Sequence, residues 1–97
     1  MNLISELVNR LNKFFNKVLY EKQIEHYMIA LFRNDKLEYT LCIDKNIDEY
    51  FYGKIVSINK TSLIDCLEIL YNPYGLFIFA RNIDEFIDKL MKKIKKI

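Results

Sequence analysis

The sequence has few of the residues that make a chain flexible or interrupt a helix or strand. Its 97 residues include only 2 glycines and 1 proline. This scarcity excludes a collagen-like repeat, a flexible linker and a glycine-rich phosphate-binding loop. Apolar residues reach 52%, which is too many for a disordered chain. We therefore expect one small folded domain that spans residues 1–97.

The residues that most often carry out chemistry are scarce as well. The chain has 1 histidine, His26, and 2 cysteines, Cys42 and Cys66. None of them stands in a metal-binding spacing such as C-x-x-C, and a structural zinc site usually needs four ligands. A nucleophile formed by His26 and either cysteine would still lack a third, orienting group. We expect no catalytic residue, no metal and no cofactor, and two reduced thiols, as is usual in cytoplasmic proteins.

Long apolar runs are missing too. A segment such as 76–80 has five apolar residues, far fewer than a membrane span requires. The first residues show no charged leader followed by an apolar stretch, so we expect no signal peptide. Isoleucine, lysine, asparagine, tyrosine and phenylalanine make up half of the chain, and their codons are rich in A and T. These features predict a cytoplasmic protein with no membrane association, encoded by an AT-rich genome such as that of a low-GC bacterium, its phages or plasmids, or an archaeal virus.

Three stretches repeat their apolar residues at helical spacing. The first stripe runs from Leu3 to Val18 and predicts a helix over residues 3–20. The second stripe follows Ser62, a candidate N-cap, and the third follows Asn82, another candidate N-cap. The apolar residues of the third stripe are Ile83, Phe86, Ile87, Leu90, Met91 and Ile94.

The first two predicted strands form a hairpin. They cover residues 24–33 and 37–43 and flank Asn34-Asp35-Lys36, a sequence that favours a turn. Alternation across this turn predicts that six side chains share one face of the hairpin. These side chains are Met28, Ala30, Phe32, Leu37, Tyr39 and Leu41.

Residues 44–58 allow two interpretations. We prefer one helical turn over 46–52, ended by Gly53, followed by a third strand over 54–58. The alternative is a single strand through 50–58. A fourth strand over 76–80 is apolar throughout, so we expect it to be fully buried. The resulting order is α-β-β-β-α-β-α, an α+β domain whose helices pack on one face of a mixed or antiparallel sheet.

Tyrosines provide the best candidates for a binding site. The chain has 7 tyrosines, and several fall in loops or at the ends of predicted elements. Tyrosine is enriched at protein interfaces because its rigid ring buries a large area at a small entropic cost. Codon bias, with rings that cover the edge of the core, is the alternative explanation. The predicted partner-binding residues are Tyr50, Tyr52, Lys54, Tyr71 and Tyr74.

The end of the last predicted helix is rich in lysine. A lysine cluster can neutralise phosphates, which makes a small nucleic-acid-binding protein the alternative function. The cluster contains no arginine, the usual reader of bases, and acids at 84–88 precede it in the order that the helix dipole favours. We therefore rank nucleic acid below a protein partner. The candidate nucleic-acid contacts are Lys92, Lys93, Lys95 and Lys96.

The layout from the opening stripe Leu3–Val18 through the strands at 24–58 resembles the small inhibitors carried by phages and mobile elements. Anti-CRISPR proteins are the best-known group of this kind. The resemblance implies a non-catalytic protein that occludes the surface of a protein or nucleoprotein partner. The net charge of +2 disfavours mimicry of DNA. A second likeness, to secretion chaperones, implies a homodimer.

Overall fold

The computed structural model describes residues 3–23, 25–44, 51–58 and 66–95. Its elements are α1 (Leu3–Leu11), β1 (Lys17–Lys22), β2 (His26–Arg33), β3 (Lys36–Asp44), β4 (Phe51–Ser57), α2 (Cys66–Tyr71), β5 (Leu76–Ala80) and α3 (Ile83–Ile94). The strands form one 5-stranded antiparallel sheet in the order β1-β2-β3-β4-β5, so β1 and β5 are its edges. The predicted α+β class with an antiparallel sheet is confirmed. Within the described residues, no helix has both the length and the apolar character needed to cross a membrane.

The first helix is shorter than expected. α1 ends at Leu11, and the chain turns and enters β1 instead of continuing as a helix to residue 20. Residues 14–20 are rich in aromatic and branched side chains, which suit a strand better than a helix. Val18 pairs with Leu31 and is buried, so this position of the stripe faces the core as a strand residue. The observed order is α-β-β-β-β-α-β-α.

A β-bulge changes the faces of the β2–β3 hairpin. Its turn contains two residues with positive φ, 52° and 61°, as a tight hairpin turn requires. Phe32 lies opposite Leu37, but Leu31 lies opposite Tyr39, which leaves one residue of β3 without a partner across the ladder. Beyond this extra residue, the β3 side chains that share a face with a given set of β2 side chains are the opposite set from the one predicted. Ala30 therefore does not share a face with Tyr39, and the predicted face assignment is wrong.

The segment that contains Gly53 is a strand rather than the end of a helical turn. β4 begins at Phe51, so the preferred interpretation is wrong for residues 51–52, and the alternative strand is correct there. Residues 45–50 lie outside the described residues. A Cβ on Gly53 would lie 2.8 Å from a carbonyl oxygen of β3 and 3.5 Å from Cζ of Phe86. The missing side chain lets α3 approach β4 closely.

Helices cover both faces of the sheet. α1 and α3 pack on the first face, where side chains such as Leu7, Leu41 and Phe86 form the main core. α2 packs on the second face over a smaller buried cluster. The expectation that all helices pack on one face is wrong, because alternate residues of β2, β3 and β4 are apolar on both sides. The smaller cluster consists of Met28, Cys42, Val56, Cys66 and Ile69.

A disulfide joins α2 to the sheet. Cys42 in β3 and Cys66, the first residue of α2, are bonded with a Cα–Cα distance of 5.3 Å. The expectation of two reduced thiols is therefore wrong. Disulfides persist in oxidising compartments and are rare in the cytosol, so the cysteines do not support the cytoplasmic location that was expected. The predicted helix cap at Ser62 lies outside the described residues.

The last helix agrees with its prediction. Asn82 is the N-cap of α3, and its Oδ1 accepts a hydrogen bond from the backbone N of Glu85 at 2.8 Å. Glu85 reaches back, and its Oε2 accepts a hydrogen bond from the backbone N of Arg81 at 3.1 Å. These bonds hold α3 immediately after β5. The buried residues of α3 are Ile83, Phe86, Leu90 and Ile94.

Candidate functional site

Three exposed aromatic rings lie together on the second face of β4 and β5. The exposed fractions of Tyr52, Phe77 and Phe79 are 37%, 47% and 53%. The strand register places Tyr52 opposite Phe79, and the ring centroid of Tyr52 lies 5.7 Å from that of Phe77 and 6.0 Å from that of Phe79. The rings therefore form one contiguous apolar patch. We call Tyr52, Phe77 and Phe79 the aromatic surface.

The aromatic surface is exposed because β5 is an edge strand. Ile78 and Ala80 point towards α3 and are buried, whereas Phe77 and Phe79 point to the opposite face. α2 packs on that face over residues of β2, β3 and β4. The expectation that 76–80 is fully buried is wrong, since only one side of this strand is covered by the core. Single exposed rings are common in soluble proteins, but a contiguous group marks a binding surface more often.

Lys54 positions the neighbouring helix rather than a partner. Its side chain was predicted to be a contact, but its exposed fraction is 4%. Its Nζ donates hydrogen bonds to the carbonyl oxygen of Leu70 at 3.0 Å and to that of Asn72. A cation at this place compensates the partial negative charge at the end of α2. Burial lowers the pKa of Lys54 from its ordinary value.

The same lysine connects the end of α2 to the aromatic surface. Its Nζ lies 4.7 Å from the ring centroid of Phe77. Gly75 makes room for it, because a Cβ there would lie 2.5 Å from Cε of Lys54. Lys54 therefore holds the turn that leads into β5 against β4, and with it the rings on β5.

The other predicted contacts lie beside this turn. Tyr71, at the end of α2, and Tyr74, in the turn, are both exposed. The backbone N of Tyr74 donates a hydrogen bond to Oδ1 of Asn72 at 2.8 Å, a bond that stabilises the turn. Tyr50 lies outside the described residues. The structure thus places Tyr52 in the aromatic surface and two further tyrosines at the end of α2 and in the turn that Lys54 holds.

The sequence interpretation missed the two phenylalanines of the aromatic surface. Phe77 and Phe79 occupy alternate positions of a strand without any charged residue. Such a pattern is equally typical of a strand covered on both faces, which is how it was interpreted. The signal that distinguishes the two cases is the position of the strand in the sheet, and this position depends on residues far away in the chain.

Two lysines of α3 are paired with acids that lie one turn earlier in the helix. Lys92 forms an ion pair with Asp88 at 3.1 Å, and Lys89 forms one with Glu85 at 3.0 Å. Among the remaining predicted nucleic-acid contacts, Lys93 is partly buried, Lys95 is exposed and Lys96 lies outside the described residues. This balance of charge favours a solvated helix over a phosphate-binding surface.

The residues considered for catalysis or metal binding do not come together in one site. His26 is half-buried at the start of β2, and its carbonyl oxygen accepts a hydrogen bond from the backbone N of Gln23 at 2.7 Å. Both sulfur atoms belong to the Cys42–Cys66 disulfide, so the considered cysteine–histidine nucleophile is not formed. Among the described residues, no group of three or more His, Cys, Asp or Glu side chains is placed to hold a metal ion.

Comparisons with protein-family models, with curated proteins and with solved structures found no match to this chain. The surface of the protein itself is therefore the guide to its function. The aromatic surface is the feature with the clearest chemistry, because its rings contact one another and stand on paired strands.

Proposed function

We propose that this protein is a non-catalytic binding module that covers part of a protein or nucleoprotein partner. The observation that supports this proposal is the aromatic surface, in which Tyr52, Phe77 and Phe79 contact one another while remaining exposed. Apolar rings that lie together in water gain free energy when a partner covers them. Phage- or mobile-element-encoded inhibitors, which the sequence layout resembles, act by such occlusion.

The surroundings of the aromatic surface suit a protein partner. Binding energy in protein interfaces is concentrated in a few aromatic anchors, and a polar rim encloses them. Tyr71 ends α2, Tyr74 lies in the turn before β5 and Arg81 directly follows β5; all three are exposed and carry the hydroxyl and guanidinium groups that such a rim uses. The rings stand on two paired strands, so little conformational entropy is lost when a partner binds.

The experiment compares two exposed tyrosines on opposite sides of the sheet. The wild-type protein, Tyr52→Ala and the matched control Tyr20→Ala, on β1, are immobilised and exposed to lysate of a low-GC bacterium. A protein retained by the wild type and identified by mass spectrometry is then purified, and its Kd for each variant is measured by calorimetry. Tyr52→Ala should weaken binding by about 1–3 kcal/mol, and Tyr20→Ala should leave it unchanged.

Two results would contradict the proposal. One is equal affinity of the wild type and Tyr52→Ala for every retained protein, with Tyr74→Ala giving the same result. The other is a salt-sensitive shift of labelled DNA or RNA that Lys95→Ala abolishes and Tyr52→Ala does not, since that pattern belongs to a nucleic-acid-binding protein. Circular dichroism must show that each variant is folded, which we expect because the substituted rings are exposed.

A further inference from the structure

Helix α2 is short for a helix that covers part of a sheet. It has 6 residues, fewer than an isolated helix needs to persist in water, so its position depends on what fastens it to the second face. Of its side chains that the structure describes, only Cys66 and Ile69 are buried. Among these described side chains, a single fully buried aliphatic one therefore holds α2 to the sheet, together with the attachments at its two ends.

The two ends of α2 are attached in different ways. Its first residue, Cys66, is bonded to Cys42 on the central strand β3, and its backbone N donates a hydrogen bond to Oε1 of Gln23 at 3.2 Å. The other end is fixed by Lys54, whose Nζ donates hydrogen bonds to two carbonyl oxygens in and just after the last turn. The chain then passes through a short turn into β5, which is paired with β4. A redox reaction can release the first end and leave the second in place.

The residues beneath α2 continue the aromatic surface. The strand register aligns four residues in one row across neighbouring strands, namely Met28, Cys42, Lys54 and Phe77. At one end of this row Phe77 is exposed, whereas the residues at the other end are buried together with Val56 beneath α2. The covered part and the exposed part therefore belong to one face of one sheet, and α2 sets the boundary between them.

One buried polar group on this face opposes the closed arrangement. Thr40 lies two residues before Cys42 on the same side of β3, opposite Val56, and its exposed fraction is 0%. Its Oγ1 has no hydrogen-bond partner among the described residues. A buried hydroxyl without a partner is costly, and water that reaches it removes that cost. A covalent attachment of α2 therefore matters for keeping this face closed.

We propose that the Cys42–Cys66 bond is a redox latch, and that its reduction lifts the first turn of α2 and extends the aromatic surface across β4 and β3. The last turn stays in place, because Lys54 and the pairing of β5 hold it independently of the sulfur atoms. The main apolar side chains uncovered in this way are Met28 and Val56. This proposal rests on the proposed function, since it concerns the regulation of the same surface, but the latch itself is tested without a partner.

The reaction that opens the latch is thiol–disulfide exchange with a dithiol reductant. One thiolate of the reductant attacks a sulfur of the bond, and the other cysteine leaves as a thiolate that takes up a proton. The second thiol of the reductant loses its proton, attacks the mixed disulfide and releases the remaining cysteine. The reductant ends as a disulfide and the protein as two thiols, so two electrons pass to the protein. Because both sulfur atoms are buried, exchange proceeds through brief local opening of α2.

The reduced cysteines do not replace the lost attachment. Two thiols need more room than a disulfide, and buried clusters are close-packed. Cys42 cannot give way, since β3 pairs with a strand on each side. The sulfur of Cys66 lies 3.7 Å from the carbonyl oxygen of Tyr27, where a thiol would donate only a weak hydrogen bond. The first turn of α2 is therefore the part that moves.

The first experiment measures how readily Cys42 reacts once the bond is broken. The full chain is reduced with dithiothreitol, freed of the reductant and labelled with iodoacetamide, and peptide mass spectrometry gives the rate at Cys42. The control thiol is Ala80→Cys in a chain with Cys42→Ala and Cys66→Ala, at a buried position under α3. Relative to each unfolded protein, Cys42 should be labelled at least about 10-fold faster than the control, because only a local opening is needed.

Low concentrations of urea separate the two kinds of opening. The rate at Cys42 should change little, whereas the control rate should rise, because global unfolding exposes far more surface. Cys66→Ala, which carries Cys42 as a single thiol, should behave like the reduced wild type. Equal rates with equal urea dependence for Cys42 and the control would overturn the proposal. Loss of the folded state on reduction would overturn it too, because the main core lies on the other face.

The second experiment measures the uncovered apolar area with the dye anilinonaphthalene sulfonate, which fluoresces on exposed apolar surface. Reduction of the wild type should raise the fluorescence several-fold. The chain with Cys42→Ala and Cys66→Ala should match the reduced wild type and should not respond to dithiothreitol. Equal fluorescence of the oxidised and reduced wild type would overturn the latch and leave the proposed function standing. Unchanged partner binding by Tyr52→Ala would instead contradict the proposed function, whatever the dye shows.

Discussion

The two edges of the sheet differ in how they meet solvent. β1 has the sequence KVLYEK and carries charges at Lys17, Glu21 and Lys22, whereas β5 has the sequence LFIFA and carries none. Charged residues on an edge strand discourage the addition of another strand, because pairing would remove their charges from water. The exposed apolar residues of β1, Leu19 and Tyr20, point to opposite faces, so they do not form a patch.

The two edges also differ in how their exposed apolar residues are arranged. On β5 the exposed rings share one face and contact Tyr52 on the neighbouring strand. The exposed apolar surface is therefore concentrated at one edge, and the other edge is protected by charge.

Removal of the support under β5 should have the largest effect. Phe86 is fully buried and lies against Gly53 of β4. Phe86→Ala should lower the free energy of unfolding by about 3–5 kcal/mol, because the lost ring leaves a cavity. Thermal melting followed by circular dichroism measures this loss. Phe14→Ala, an exposed phenylalanine next to β1, is the control and should change the melting temperature little. Similar losses for both variants would contradict the described packing.

The disulfide should make the next largest contribution, on the face that carries the aromatic surface. Reduction, or replacement of Cys42 and Cys66 together by alanine, should lower the free energy of unfolding by about 2–4 kcal/mol, because the unfolded chain is no longer cross-linked. Chemical unfolding with and without dithiothreitol measures the change. The reductant should not affect the double variant. Identical unfolding of the oxidised and reduced wild type would show that the bond does not stabilise the fold.

Removal of charges from β1 should abolish the difference between the two edge strands. Glu21→Val together with Lys22→Val removes two of the charges that protect β1, and we expect the protein to form larger assemblies because β1 then accepts strands of other copies. Light scattering over a range of concentrations detects them. Lys13→Val, an exposed substitution in the turn before β1, should leave the scattering unchanged. A double variant that scatters like the wild type would mean that the charges of β1 do not protect it.

The smallest effect concerns pH at the α3 flank beside β5. The hydrogen bond from Lys89 and that from the backbone N of Arg81 lower the pKa of Glu85 from its ordinary value. A carboxylate whose pKa is lower in the folded state stabilises the fold above its unfolded pKa, and this contribution is lost as the pH falls through the folded pKa. NMR titration should show the lowered pKa of Glu85, and Lys89→Met should raise it. An unchanged titration of Glu85 in Lys89→Met would contradict the ion pair.

Part of the candidate site could be predicted from the sequence. Tyr52, Tyr71 and Tyr74 were identified because tyrosines at the ends of elements tend to be exposed, and all three are exposed. The prediction also places Lys54 on this contact surface, because it stands beside Tyr52 in the sequence, although Lys54 is buried and caps α2. Whether a lysine reaches solvent depends on what packs against it, and the contact with α2 joins residues distant in the chain. Phe77 and Phe79 were missed for the same reason.

The sequence by itself determined the elements whose signals lie within one or two turns of chain. α3 follows from its apolar period and from the Asn82 cap, and β3 and β5 follow from their composition and the turns beside them. Local hydrogen bonds and side-chain periodicity suffice for these elements, because the residues that interact are neighbours in the chain.

Only the tertiary structure decided the features that depend on distant residues. Val18 belongs to a strand because Leu31 is there to pair with it, and the bulge in β3 reverses the faces of the hairpin. The Cys42–Cys66 bond requires α2 to lie over β3. The exposure of β5 depends least on the residues of the element itself. An edge strand is defined by the neighbour that it lacks, and a missing neighbour leaves no pattern in the strand's own residues.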